Sequence, residues 1–293
     1  MTVSHEVVTG CTLLQPFLFI EKKGECLMFS SIGVCGVGNM GRAIVKGLVQ
    51  SGVMAPAHIY LYNIHKEKAQ KLADEVGAVV VDSAEELAAC SQAIIMAVKP
   101  RIMAGALDIV KSHIGADTVV ISIAAGLTIS DLAAHLPERT KIVRIMPNTP
   151  AMVGEGMASV SVNSYVSGGE TEDVLSIFRS FGKAELVEEG LIDAVCGLSG
   201  SGPAYVYLFI EALADGAVLE GMPRPMAYTF AAQTVLGAAK MVLETGEHPG
   251  KLKDDVCSPG GTTIEAVRTL EEHGFRAAVV NAVRASAEKN THM

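Results

Sequence analysis

Tryptophan is absent and aromatic residues make up only 5% of the chain, although hydrophobic residues account for 49% of it. The core must therefore be built from Ala, Val, Leu, Ile and Met, a palette suited to α/β layers and tightly packed helices. A basic surplus is also missing, since the formal net charge is -9. That argues against a nucleic-acid partner, which would need a cationic face to neutralise phosphates. The six cysteines, at positions 11, 26, 35, 90, 196 and 257, include no C-x-x-C pair, and no two histidines stand four apart. Neither a zinc site nor a disulfide framework is expected, and the cysteines read as ordinary thiols of a reducing compartment. No uninterrupted apolar run approaches the ~18–20 residues of a membrane span, so no membrane partner is expected. The N-terminus lacks the basic start and small-residue cleavage site of a secretory signal, which makes the cytoplasm the expected location.

At roughly 100–200 residues per domain, the 293 residues suggest two domains. Up to about residue 165, short Val- and Ile-rich segments alternate with helical ones. Strands are expected at Ser31–Cys35, His58–Tyr62, Val79–Val81, Ala93–Val98, Thr118–Ile123, Lys141–Met146 and Ala158–Val162. Strands spaced by helices form βαβ units and a parallel sheet. From about Gly190 the pattern is helical only, with long apolar faces over Pro203–Glu220 and Pro225–Glu244 and two further helices to Lys289. The expected division is an extension over 1–29, a nucleotide-binding domain over 30–188 and a helical domain over 189–293. The extension has no recognisable periodicity and reads either as a loose arm or as a start placed too early.

The segment Gly36-Val37-Gly38-Asn39-Met40-Gly41 is a G-x-G-x-x-G. Alone the pattern is weak, but here it follows a strand and opens a helix, the setting of a Rossmann-type dinucleotide loop. Gly36 permits the tight turn, Gly38 lets the backbone approach a pyrophosphate, and Gly41 lets helix and strand pack closely. The phosphates then meet the free N–H groups of the helix N-terminus. The second strand ends at Asn63 rather than at the Asp or Glu that suits an NAD ribose, and His65, Lys66 and Lys68 follow. A neutral residue removes repulsion toward a 2′-phosphate, so NADPH is the expected cofactor, with NADH possible; the cations read equally as a solvated helix start. Small residues in Ala97-Val98-Lys99-Pro100 and Ile123-Ala124-Ala125-Gly126 leave room for ribose and nicotinamide beyond the strand ends.

The second informative stretch is Ser258-Pro259-Gly260-Gly261-Thr262-Thr263, ahead of a helix. It reads as an anion site made of backbone N–H groups, Ser258 and Thr262, suited to a carboxylate because no Arg or Lys is in the loop. It reads equally as a capped helix start, with Thr262 and Glu265 as a capping box. No Lys occurs between Lys183 and Lys240, and no His lies in either loop. Chemistry that needs no strong general base fits best, and reduction of a C=N bond is such a reaction.

Together these motifs resemble the pyrroline-5-carboxylate reductase family. The resemblance runs from about Ile32 to Ala287 and includes Met146-Pro147-Asn148-Thr149-Pro150 and Leu198-Ser199-Gly200-Ser201-Gly202-Pro203-Ala204-Tyr205. It implies an α/β Rossmann-type domain followed by an all-α dimerisation domain, assembled as homodimers and in some cases decamers. It implies reduction of 1-pyrroline-5-carboxylate to L-proline by hydride transfer from NAD(P)H. It implies cofactor contacts from Gly36 through Gly41 (Val37, Gly38, Asn39 and Met40 between them), Asn63, Ala97, Val98, Lys99, Pro100, Ile123, Ala124 and Ala125. It further implies that Ser258, Gly261 and Thr262 hold the substrate carboxylate, that Thr263 faces the imine nitrogen, and that Asp255 and Glu189 lie near the substrate. Departures are Ile64, where many members have Arg, and Ala84, where some have Asn. A different imine or ketone reductase and a non-catalytic dinucleotide sensor are the rival readings.

Overall fold

The apolar runs expected as strands form one sheet in the computed structural model, which describes residues 29–292. Its strands are β1 (Ile32–Cys35), β2 (Ile59–Tyr62), β3 (Val79–Val80), β4 (Ala93–Met96), β5 (Val119–Ser122), β6 (Lys141–Met146), β7 (Gly156–Val162) and β8 (Gly182–Leu186). The sheet-domain helices are α1 (Asn39–Gln50), α2 (Lys66–Val76), α3 (Ala84–Cys90), α4 (Pro100–Val110), α5 (Ile129–Ala133) and α6 (Gly168–Arg179). Then follow α7 (Ile192–Val195), α8 (Gly202–Leu219), α9 (Arg224–Thr245), α10 (Pro249–Val256), α11 (Thr262–Glu272) and α12 (Phe275–Thr291).

The strand order is β3-β2-β1-β4-β5-β6-β7-β8. From β1 the chain winds outward to β2 and β3, then returns to place β4 on the other side of β1. This reversal opens the crevice at strand C-termini where doubly wound sheets take their ligands. Successive residues of the central strands supply two separate cores, as a period of two requires. Ile95 of β4 and Ile121 of β5 join Ile44, Leu48, Leu72 and Phe178 on one face. Ile94, Met96 and Val120 join Leu87, Met103 and Leu107 on the other. Helices on both faces explain why these strands are apolar runs rather than alternating ones.

Three features depart from the sequence-based expectation. The sheet is not wholly parallel, because β7 pairs antiparallel with β6, Val143 opposite Val162. Residues 147–155, which hold only a short 3-10 turn, are too few for the crossover that a parallel return requires. The α/β alternation also continues past residue 165 through α6 and β8. The sequence of β8, Gly-Lys-Ala-Glu-Leu, is polar because only Ala184 is fully buried. The third is α10, which the sequence reading passed over.

Beyond Leu186 the helical part begins with one continuous path from Glu189 to Leu219 that includes a π-helical turn over Cys196–Gly200. This path is long and apolar enough, by length and composition, to cross a membrane, although Glu211 and Asp215 interrupt it. The buried core of α8 and α9 consists only of Ala214, Ala227 and Ala231. Leu208, Leu219, Phe230, Leu236 and Leu243 stand exposed on the same two helices. The expected arm over 1–28 lies outside the described residues.

Candidate active site

The C-terminal ends of β1, β2, β4 and β5 are stitched together at the crevice. The Gly36 N–H donates to the Tyr62 carbonyl at 2.8 Å, the Ala97 N–H to Cys35 at 2.8 Å, and the Ile123 N–H to Met96 at 3.4 Å. The loops that follow, Gly36–Gly41, Ala97–Pro100 and Ile123–Gly126, are thereby held side by side. The structure brings these expected cofactor residues to one edge.

The three glycines of the first loop are distinguishable by geometry. Gly36 has φ +100°, and a Cβ there would lie 2.6 Å from the Ala97 carbonyl oxygen. A Cβ on Gly41 would lie 2.2 Å from the Gly36 carbonyl oxygen, so α1 rests directly on the loop. A Cβ on Gly38 would meet nothing within 4 Å. Gly38 is exposed and is the N-cap of α1, with φ -67° and no side-chain cap. The sequence therefore keeps a bare backbone at a place where the fold itself would accept a side chain. Asn39 and Met40 open the helix beside it, and their N–H groups have no side-chain acceptor from the cap position. The start of α4, with Lys99 at the cap and Pro100 behind it, is likewise uncapped by a side chain. Uncapped N-termini facing a crevice suit a bound phosphate, and the empty space over Gly38 fits a dinucleotide.

Asn63 ends β2 and holds the first loop in place. Its Oδ1 accepts from the Val37 N–H at 3.2 Å and its Nδ2 donates to the His65 carbonyl at 3.0 Å. One N–H and one lone pair of the amide are left for a ribose. Of the nearby cations, Lys66 is paired with Asp82. Buried behind the loop, Cys35 has its thiol pushed up to about 11 by desolvation, and Cys196 is raised by burial and then by Asp193. Both stay protonated near neutrality, so neither serves as a thiolate nucleophile.

At the other candidate site, α11 begins at Thr262 with Gly261 as its N-cap, and no side chain caps it. The capping box expected as one alternative does not form, because the cap position falls on Gly261, one residue before Thr262; Glu265 instead pairs with Arg268 at 2.6 Å. The Ser258 hydroxyl lies over Gly261, where a Cβ would come within 2.3 Å of its Oγ. Gly260 has φ +64°, which turns the chain into the helix. Ser258 and Thr262 are exposed and Thr263 is half-buried. The backbone bonds of this loop are local, Gly261 N–H to the Ser258 carbonyl and Cys257 N–H to that of Asp254. Neither α10 nor α11 packs extensively on the sheet domain, so one chain does not assemble the two loops into a single pocket.

The remaining expected residues are occupied elsewhere. Asp255 pairs with Lys251 at 2.7 Å, one turn away on α10. Glu189 accepts from Arg144 at 3.0 Å and from the Ile129 N–H at 2.6 Å. Arg144 is a residue the sequence alone did not single out, although a charge in the buried interior of Lys-Ile-Val-Arg-Ile-Met is a visible signal that a partner must be found. Asn148, within the Met146–Pro150 motif, joins the sheet domain to the π-helical turn: its amide donates to the Ser199 carbonyl at 3.1 Å and accepts from the Met157 N–H at 2.9 Å.

A family model described as pyrroline-5-carboxylate reductase dimerisation matches residues 189–293. One described as NADP oxidoreductase, coenzyme F420-dependent, matches residues 31–126. The pyrroline-5-carboxylate reductase of Escherichia coli (strain K12) is 55% identical over 263 residues, covering 90% of this chain and 98% of that protein. The structure of a pyrroline-5-carboxylate reductase from Coxiella burnetii has a TM-score of 0.85 at 33% identity, covering 89% of this chain and 97% of that one. The structure of Plasmodium falciparum pyrroline carboxylate reductase with NADP bound has a TM-score of 0.81 at 34% identity, with 89% and 97% covered. Identity at this level, across nearly the whole of both chains, places this chain in the pyrroline-5-carboxylate reductase family.

Proposed function

We propose that this chain reduces 1-pyrroline-5-carboxylate to L-proline, the last step of proline biosynthesis, with NADPH as the preferred reductant and NADH as the alternative. The observation that carries this is the α11 N-terminus, left without a side-chain cap in a glycine-rich loop with three hydroxyls and no cation. Such a terminus binds a carboxylate through its N–H groups and partial positive charge. The Thr262 N–H and the Ser258 hydroxyl hold the substrate carboxylate, with Gly261 as the bare N-cap that lets it approach while its own N–H stays on the Ser258 carbonyl. Bound at the Gly36–Gly41 loop, NADPH would supply the hydride that the carbon of the C=N bond takes up. Thr263 hydrogen-bonds the nitrogen, which takes the electron pair of the C=N bond and a proton from solvent as the amine forms. No strong base is needed, in keeping with the absence of His and Lys from the loop.

Gly36 through Gly41, Asn63, Ala97 through Pro100 and Ile123 through Ala125 form the cofactor side, and Asp255 and Glu189 belong to the surroundings of the substrate. Residues 30–188 form the cofactor domain and 189–293 the helical domain. Because the substrate loop and the cofactor loops are apart in one chain, assembly as a homodimer, and in larger form as a decamer, completes the site. The exposed apolar faces of α8 and α9 meet a second copy rather than lipid, which the dimerisation match over 189–293 supports. The net charge of -9 favours no nucleic-acid partner, and a cytoplasmic location fits a soluble biosynthetic step.

The test is a Thr263 series in a spectrophotometric assay of NADPH oxidation with pyrroline-5-carboxylate. Losing a hydrogen bond to a group that becomes charged costs roughly 1.5–3 kcal/mol, or about 10- to 150-fold. Thr263→Ala and Thr263→Val should lower kcat by that factor, and Thr263→Ser should retain most activity. Ser258→Ala should chiefly raise the substrate KM. A Thr263→Val enzyme that turns over like the parent removes the hydroxyl from the mechanism.

A further inference from the structure

The joint between the two domains carries a polar cluster that the proposed chemistry leaves without a use. Arg144, on β6 between the buried Val143 and Ile145, is itself only 4% exposed. A guanidinium in that position must be paired. Its partner is Glu189, the first residue of the helical path, at 3.0 Å. The same carboxylate oxygen accepts the Ile129 N–H at 2.6 Å.

Ile129 opens α5 directly behind the Ile123–Gly126 loop. Thr128 caps that helix in a reciprocal box with Asp131, which leaves the Ile129 N–H for an acceptor from outside. At its other end the loop is held within the sheet: the Ala124 N–H donates to the fully buried Ser122 hydroxyl at 3.3 Å. The loop between these ties turns at Gly126, with φ +76°. A cavity of about 350 Å³ lies beside it, with Gly126, Arg144, Glu189 and Asn290 in its wall. The loop therefore has open space, not packed side chains, on this flank. One turn beyond Glu189, Asp193 accepts from Asn290 at 2.6 Å and from Thr291 at 3.0 Å, which fixes the end of α12 to the same joint.

We propose that Arg144 and Glu189 are positioning residues: the Arg144–Glu189 pair holds the Ile129 N–H and so sets the β5–α5 loop against the bound dinucleotide, with Glu189 not itself a substrate ligand. This assignment rests on the cofactor reading of the Ile123–Ala125 loop and revises the placement of Glu189 beside the substrate. The loop is anchored on one side to the sheet and on the other to the helical domain, so the Glu189 carboxylate fixes the cofactor domain and the helical domain in one register. Displacement of a reacting partner by about 1 Å can cost on the order of 100-fold in rate, which gives such a tie its use.

The experiment compares the full-length parent with Glu189→Ala, Glu189→Gln and Arg144→Lys by four readouts: thermal melting, hydrogen exchange over residues 123–132, NADPH affinity by fluorescence titration without substrate, and steady-state constants. Glu189→Ala should exchange faster at Ile129, bind NADPH about 10-fold more weakly and lose kcat, with the pyrroline-5-carboxylate KM within about 3-fold. Glu189→Gln, which keeps an acceptor for the Ile129 N–H, should recover most of the NADPH affinity. If Glu189→Ala does not fold, Arg144→Lys carries the test and should show the same pattern at about 3-fold. A rise in substrate KM with NADPH affinity unchanged overturns the assignment in favour of a substrate ligand. A fall in Tm alone overturns it in favour of a purely structural pair. A parent that binds NADPH but does not reduce pyrroline-5-carboxylate refutes the reductase reading and leaves the exchange and binding results to judge the latch.

Discussion

Gly38 and Gly41 separate cofactor binding from folding, and the structure says by how much. At Gly38 the backbone has φ -67° and the added methyl of Gly38→Ala meets nothing within 4 Å. The substitution is therefore free of strain in the folded chain. By reducing the freedom of the unfolded chain it should be neutral or stabilising by up to about 0.4–1 kcal/mol. The same methyl occupies the space through which a pyrophosphate reaches the α1 N-terminus. Moving the phosphate off one or two charge-assisted bonds, at roughly 1.5–3 kcal/mol each, predicts at least a 10-fold loss of NADPH affinity. At Gly41 the methyl would lie 2.2 Å from the Gly36 carbonyl oxygen. Neither backbone can yield freely, and overpacking of this kind costs about 1–3 kcal/mol or more. At about 2–4 °C per kcal/mol for chains near this size, Gly41→Ala should lower Tm by several degrees and weaken NADPH binding as well. The assay is a thermal melt of each variant with a fluorescence titration of NADPH. A Gly38→Ala protein that binds NADPH as tightly as the parent refutes the assignment of the open space. A Gly38→Ala protein that melts like Gly41→Ala refutes the geometry.

Two further outcomes are expected. Asn63→Asp keeps the acceptor for the Val37 N–H but adds a negative charge at the adenosine end; the ratio of kcat/KM for NADPH over NADH should fall by about 1–2 kcal/mol, roughly 5- to 30-fold, and a parent that already strongly favours NADH contradicts the premise. The Asp131 carboxyl is held below its usual range by the Thr128 hydroxyl and N–H, with a smaller contribution from Arg144. Its folded pKa is depressed, so the stabilisation is present above the unfolded value of about 3.9 and is lost as pH falls through the folded one; Asp131→Asn should flatten the acid limb of a Tm-against-pH curve below about pH 4, and a limb that remains as steep as the parent's counts against the capping box.

What the residues alone determined is local. Burial on both faces makes β1, β4 and β5 read as apolar runs, and a strand followed by G-x-G-x-x-G and a helix marks a dinucleotide loop, because each depends on neighbours within a few positions. The family motifs extended this to an α/β domain followed by a helical one. The spacing could not say whether Thr262 and Glu265 cap α11, because both a capped and an open helix start are consistent with Ser258-Pro259-Gly260-Gly261-Thr262-Thr263; the choice falls to the open one because the cap position lands on Gly261, which has no side chain. Nor could the spacing show that β7 runs antiparallel to β6, since strand direction follows from how far nine residues can carry the chain back, not from the strand's own pattern. Glu189 is the clearest instance. Its partners Arg144 and Ile129 lie 45 and 60 positions away in sequence, and no periodicity links them. They meet because the sheet buries a guanidinium at the place where the helical domain begins, and a buried charge must find its counterpart in whatever part of the chain the tertiary fold brings beside it.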